Sequence, residues 1–162
     1  MMPWTVIDEL GGLASRRQLI GARVDPDLLE VAAQSGRRIL RVRKGWYAGA
    51  GEHPEVLRAW RVGGRLTCIS AIAFHTAAAA PPPVLHVEVP GNTPRLRDPD
   101  LRRFRLAPDT PVVVHWARSI GPGDLRAVEL DHALRIAAVC GVRAGSAGQA
   151  AAVSRSAASR IV

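Results

Sequence analysis

Lysine is nearly missing from this 162-residue chain: Lys44 stands alone among 22 cationic residues, and arginine supplies the others. That shortage removes one enzyme class at once. Asp109, Glu129 and Asp131 could be strung together as a nuclease carboxylate set, but a PD-(D/E)xK site also needs a lysine, and none lies beyond Lys44. Aromatics are scarce at 4%, four of them tryptophan, so any core is built from Leu, Val, Ile and Ala. Alanine dominates the C-terminal third, which lowers the apolar area each residue there can bury. Cys68 and Cys140 are the only cysteines, far apart and without a histidine at local metal-ligand spacing. They read as small core residues in a reducing compartment. No signal-peptide pattern follows Met1–Val6, and no run approaches the roughly 20 apolar residues that span a bilayer. A cytoplasmic protein with no membrane partner is expected.

No P-loop, GxGxxG, GxSxG or zinc-ribbon pattern is present. The five histidines show no HxxxH or HxH spacing, and structural roles are expected for them. Catalytic residues, a metal site and a cofactor are therefore not expected, and the chain reads as a non-enzyme.

What the chain does carry is positive charge, a formal +8. Arg37, Arg38, Arg41, Arg43 and Lys44 fall in an eight-residue stretch with no acidic residue. Around it the local signals are specific. Val6, Ile7 and Leu10 sit at helical spacing before Gly11-Gly12. Ser15-Arg16-Arg17-Gln18 is a capping box that starts a second helix, and Asp25-Pro26 starts a third, ending near Gly36. Ile39–Arg43 and Trp46–Ala48 read as strands joined at Lys44-Gly45. Three short helices followed by a basic hairpin is the order of a winged helix-turn-helix over residues 1–50.

Alternation puts Arg41 and Arg43 on one face of the hairpin and Leu40 and Val42 on the other. One face would pack on helices while the other meets phosphates. Arg16 and Arg17 at the second helix add contacts where helix amides favour an anion. Asp27 and Glu30 make the third helix acidic, which leaves Gln34 and Ser35 as its uncharged polar groups. The candidate DNA-binding set is Arg16, Arg17, Gln34, Arg37, Arg38, Arg41, Arg43 and Lys44.

Residues 52–119 read as a second, mixed block. Pro54–Val62 and a segment from Thr67 are expected helices, the latter burying Ile69, Ile72, Ala73 and Phe74. Leu85–Val89 and Val112–Trp116 are expected strands, with a weaker one at Phe104–Leu106. Arg95, Arg97, Arg102, Arg103 and Arg105 are broken up by Asp98 and Asp100 and read as a solvated loop face. Residues 120–162 give one helix near Val128–Val139, then an Ala/Ser/Gly/Arg-rich tail expected to be flexible. The fold class is α+β: an N-terminal winged helix, a small helix/strand domain, and an Ala-rich tail.

Glu9–Leu19, Leu40-Arg41-Val42-Arg43-Lys44-Gly45-Trp46-Tyr47-Ala48 and Gly64-Arg65-Leu66-Thr67-Cys68-Ile69-Ser70-Ala71 form an ordered series. It resembles the AbiEi-type antitoxins of type IV toxin–antitoxin (abortive infection) systems, in their actinobacterial branch, over residues 4–118. The resemblance implies a winged helix that binds double-stranded DNA at its own promoter as a transcriptional autorepressor. It also implies a second domain that counters a nucleotidyltransferase-like toxin without a stable complex. By position, Arg16, Arg17, Arg41, Arg43 and Lys44 would face DNA, with Trp46 and Tyr47 holding the wing to the helices. The chain departs from the pattern after its last helix, as expected of a truncated or frameshifted member. The alternatives are an inactive remnant of a fusion to a very-short-patch-repair-like endonuclease, or a protein-interaction module whose basic wing meets an acidic partner.

Overall fold

A computed structural model describes residues 1–119 and 121–141; the Ala-rich tail expected beyond Gly141 lies outside the described residues. The architecture is mixed, with six helices and two three-stranded sheets among those residues. In chain order the first half is α1 (Pro3–Glu9), β1 (Leu13–Ser15), α2 (Arg16–Gly21), α3 (Pro26–Ser35), β2 (Ile39–Arg43) and β3 (Trp46–Gly49). The second half is α4 (Pro54–Val62), β4 (Arg65–Leu66), α5 (Cys68–His75), β5 (Leu85–Pro90), β6 (Val112–Ala117) and α6 (Leu130–Cys140).

Local chemistry sets most boundaries. Ser15 Oγ accepts from the Gln18 amide at 3.2 Å while Gln18 Oε1 accepts from the Ser15 amide at 2.9 Å, closing the capping box of α2. Asp25 caps α3 through the Asp27 and Leu28 amides, Pro26 takes the first turn, and left-handed Gly36 ends it. His53 Nδ1 caps α4 at the Glu55 amide.

The first sheet is antiparallel with order β1-β3-β2, and its two faces enter different cores. Ala14, Ile39 and Tyr47 pack with Val6, Ile7, Leu19, Val24 and Leu29 of the helical side. Leu13 and Ala48, one residue along β1 and β3, and Val42, three residues along β2, pack instead with Val56, Trp60, Leu66 and Val87 of the second half. Period-2 alternation thus fastens one small sheet between two bodies. Trp46 completes the join by stacking on Trp60 of α4, with ring centroids 4.3 Å apart.

The second sheet has order β4-β5-β6, with β4 antiparallel and β6 parallel to the central strand. β5 is buried from Leu85 to Val89. Glu88 lies opposite Arg65, and the two form a buried ion pair at 2.7 Å. Arg65 also donates to the carbonyls of Asp124 (2.9 Å) and Gly121 (2.8 Å), so each of its three nitrogens is engaged and the segment before α6 is tied to the sheet.

Three expectations are corrected. The Phe104–Leu106 strand does not form: Phe104 is exposed, its amide closes a turn on the Leu101 carbonyl, and Asp98 Oδ1 collects the Asp100 and Leu101 amides. Only a single bridge, Arg97 to Arg105, remains there. In α5 the buried residues are Cys68, Ser70 and Ala71; Ile72 and Phe74 are half-buried against the core, and Ile69 and Ala73 are also only half-buried. Finally, Arg41 and Arg43 do not share a face, because the β2–β3 register is irregular between them.

Gly64 is the tightest backbone approach. A Cβ there would run into the carbonyl of Glu88, and no flexible side chain is available to yield. Gly64→Ala is expected to lower unfolding free energy by more than about 2 kcal/mol through displacement of β4 from β5. Gly21→Ala, whose Cβ meets nothing within 4 Å at the end of α2, is expected to change it by less than about 1 kcal/mol. Urea denaturation of both variants checks this.

Candidate functional site

The candidate nucleic-acid residues separate into exposed cations and cations already engaged. The Arg16 amide donates to the Gly45 carbonyl at 2.7 Å, which sets the first turn of α2 against the β2–β3 turn. Arg16, Arg17 and Lys44 are all exposed at this junction. Gln34 and Arg37 are exposed as well, at the end of α3 and beyond its Gly36 cap; Asp27 and Val31 share the outer side of that helix with Gln34.

The other candidates are held. Arg38, itself exposed, lies over the Trp4 ring, 5.0 Å from its centroid. Arg41 pairs with Glu30 of α3 at 3.6 Å. Glu30 also accepts from Tyr47 Oη at 3.0 Å, so burial and then this bond raise the Tyr47 pKa. The acidic charge expected on α3 is therefore partly met from inside the protein. Arg43 turns toward the second half, donating to the carbonyls of Val62 (3.1 Å) and Pro94 (3.0 Å). Burial, and then the neighbouring Arg97 charge, lower its pKa. Tyr47, fully buried, ties β3 to the first three helices, whereas Trp46 ties it to α4.

The second arginine cluster is not a remote loop face. Arg102 donates to the Arg41 carbonyl at 2.8 Å, and with the Arg43–Pro94 bond this lays segment 94–102 along the edge strand β2. Arg95, Arg102, Arg103 and Arg105 are exposed there. The cationic surface thus extends from α2 across the turn to the second half. Local acidic residues masked this in the sequence, yet Asp98 is spent on its own turn and Asp100 on Arg58.

Sequence spacing missed a different constellation. Cys68 at the start of α5, His86 on β5, His115 on β6 and Cys140 at the end of α6 converge. One ligand-capable atom from each lies within 4.8 Å of the others. Cys68 and His86 are fully buried, His115 and Cys140 half-buried. His86 Nδ1 stands 3.0 Å from His115 Nε2. Burial pushes both imidazoles down to about 4, His86 also through the charge of His115, so both are neutral near pH 7. The four residues come from four separate elements, which is why no local motif marks them. The one available signal was that two expected strands each carried a histidine.

Comparison of the chain with protein-family models and with curated proteins found no match.

Arg43 is placed as a brace between halves and Lys44 as a free charge, and the two should behave differently. Arg43→Ala is expected to cost about 1–3 kcal/mol of stability by leaving two carbonyls without their cationic donor. Lys44→Ala is expected to cost less than about 0.5 kcal/mol. Equal urea midpoints for the two variants would contradict the assignment.

Proposed function

We propose that this chain is a winged helix-turn-helix DNA-binding protein that represses its own promoter, acting as an antitoxin of the AbiEi type. The observation that carries the reading is the Arg16–Gly45 bond, which brings the exposed Arg16, Arg17 and Lys44 together where α2 meets the hairpin turn. Support comes also from the order α1-β1-α2-α3-β2-β3, with two capped helices joined by a short turn and a basic hairpin after them. In this reading α3 approaches the major groove with Gln34, while the arginines and Lys44 contact phosphates and hold the register. The exposed Asp27 opposes phosphate approach at the start of α3, so affinity rests on α2 and the hairpin turn. Segment 94–105 extends the phosphate-binding surface. The second half would counter the nucleotidyltransferase-like toxin, and the protein would work in the cytoplasm. No described helix is long and apolar enough to cross a membrane.

Fluorescence anisotropy with the gene's own upstream duplex and a scrambled duplex, across a salt series, tests the proposal. Tighter binding to the upstream duplex is expected, with a steep salt dependence. In an Arg16→Ala/Arg17→Ala/Lys44→Ala variant the slope of log K against log salt should shrink by about 2–3, near 0.9 per lost phosphate contact. Absence of binding at low salt, or an unaltered slope in the variant, would overturn it.

A further inference from the structure

We propose that Cys68, His86, His115 and Cys140 form a closed, four-ligand zinc(II) site that pins α5 and α6 to the β5–β6 edge of the second sheet. The inference is independent of DNA binding.

The argument begins with placement. His86 and Glu88 share one face of β5, and the register sets His115 of β6 opposite Glu88, so both imidazoles stand on the same side of the sheet. The packed pair α5 and α6 brings a cysteine to that side from each helix. Four-coordinate zinc with two sulfurs and two nitrogens has ligand atoms about 3.3–3.8 Å apart. The His86–His115 nitrogen pair is already at 3.0 Å, and the full set lies within 4.8 Å, so rotamer adjustments of about 1 Å complete the geometry.

The donor set also fits its surroundings as a metal site better than as plain core. Aliphatic side chains would fill the same space without polar groups to satisfy. Instead His86, fully buried, has another histidine as its side-chain partner through Nδ1. Cys68 adopts φ 52°, a left-handed conformation that a side chain rarely takes, at the point where its sulfur joins the cluster.

Charge closes the case. Zinc binding to two thiols and two neutral imidazoles releases two protons, one from each sulfur, and leaves a centre with no net charge. Such a centre suits a buried place where Glu88, the carboxylate opposite His115 in the sheet, is already paired with Arg65. Four protein ligands leave no open position for water or substrate. The site is structural rather than catalytic.

The test uses the full chain, reduced and purified without metal, titrated with Zn(II) against a chromophoric chelator and with Co(II) as a spectroscopic probe. One equivalent of zinc is expected, and the cobalt form should show tetrahedral d–d bands with thiolate-to-metal charge transfer. Cys140→Ser, at a half-buried helix end, should weaken zinc binding by more than about a hundredfold, beyond the loss caused by removing a mere orienting neighbour. Circular dichroism checks that this variant folds; if it does not, His115→Asn provides the same comparison. His132→Asn, on α6 outside the cluster, should leave affinity and spectrum unchanged. The proposal is overturned by a chain that takes up no zinc when reduced, or by a cobalt spectrum without sulfur charge transfer. Cys140→Ser and His115→Asn both binding zinc as tightly as the parent would overturn it too.

Discussion

The two-faced packing of the β1-β3-β2 sheet is the constraint on which the rest of the structure depends. A three-stranded sheet with one solvated face would need only one core. Here Tyr47, Ile39 and Ala14 close the core of the first three helices, while Ala48, Val42 and Leu13 complete the core of the second half. A shift of one residue in register would exchange the two sets, sending Tyr47 toward α4 and Ala48 toward α1. Trp46 on Trp60 and Arg43 on the Val62 and Pro94 carbonyls reinforce the same junction. A hairpin built this way is braced along its length, and at its turn, which the Arg16–Gly45 bond holds to α2, Lys44 is exposed.

That bracing sorts the arginines. An arginine is both a charge and a rigid fork of donors, and this chain uses it in both capacities. Arg43, Arg65, Arg61 and Arg102 spend donors on backbone carbonyls and hold segments without secondary structure of their own. Arg58 and Arg126 meet carboxylates. Arg16 and Arg17 remain exposed. A net charge of +8 therefore overstates the charge free to meet a polyanion, and the position of the exposed share matters more than the total.

Much of the first half was legible because its signals are local. Ser15 with Gln18, Asp25 with Pro26, and Gly36 each act within four residues, and each sets the helix end it was read to set. The strands around Lys44-Gly45 follow for the same reason. β1 and β4 were not legible, since three and two residues are too few for a period and pairing partners alone define them. The divergence of Arg41 and Arg43 was hidden because alternation assumes an unbroken register. The arginines at 95–103 were read as a solvated loop face, but the neighbourhood of that segment with the hairpin depends on contacts such as Arg102 to Arg41, 61 residues apart. The Cys/His cluster was the hardest to see, its members brought together by parallel pairing of β5 and β6 and by the packing of α5 on α6.

The central claim is that the start of α2 and the braced hairpin turn together face DNA. Hydrogen-exchange mass spectrometry of the full chain, with and without its upstream duplex, examines that surface directly. The account expects slowed exchange at residues 16–20 and 43–46, with little change at 77–82 on the pocket beside His53 and Phe74. Slowed exchange confined to 77–82, or none at the α2 start and the turn under conditions where duplex is bound, would contradict it.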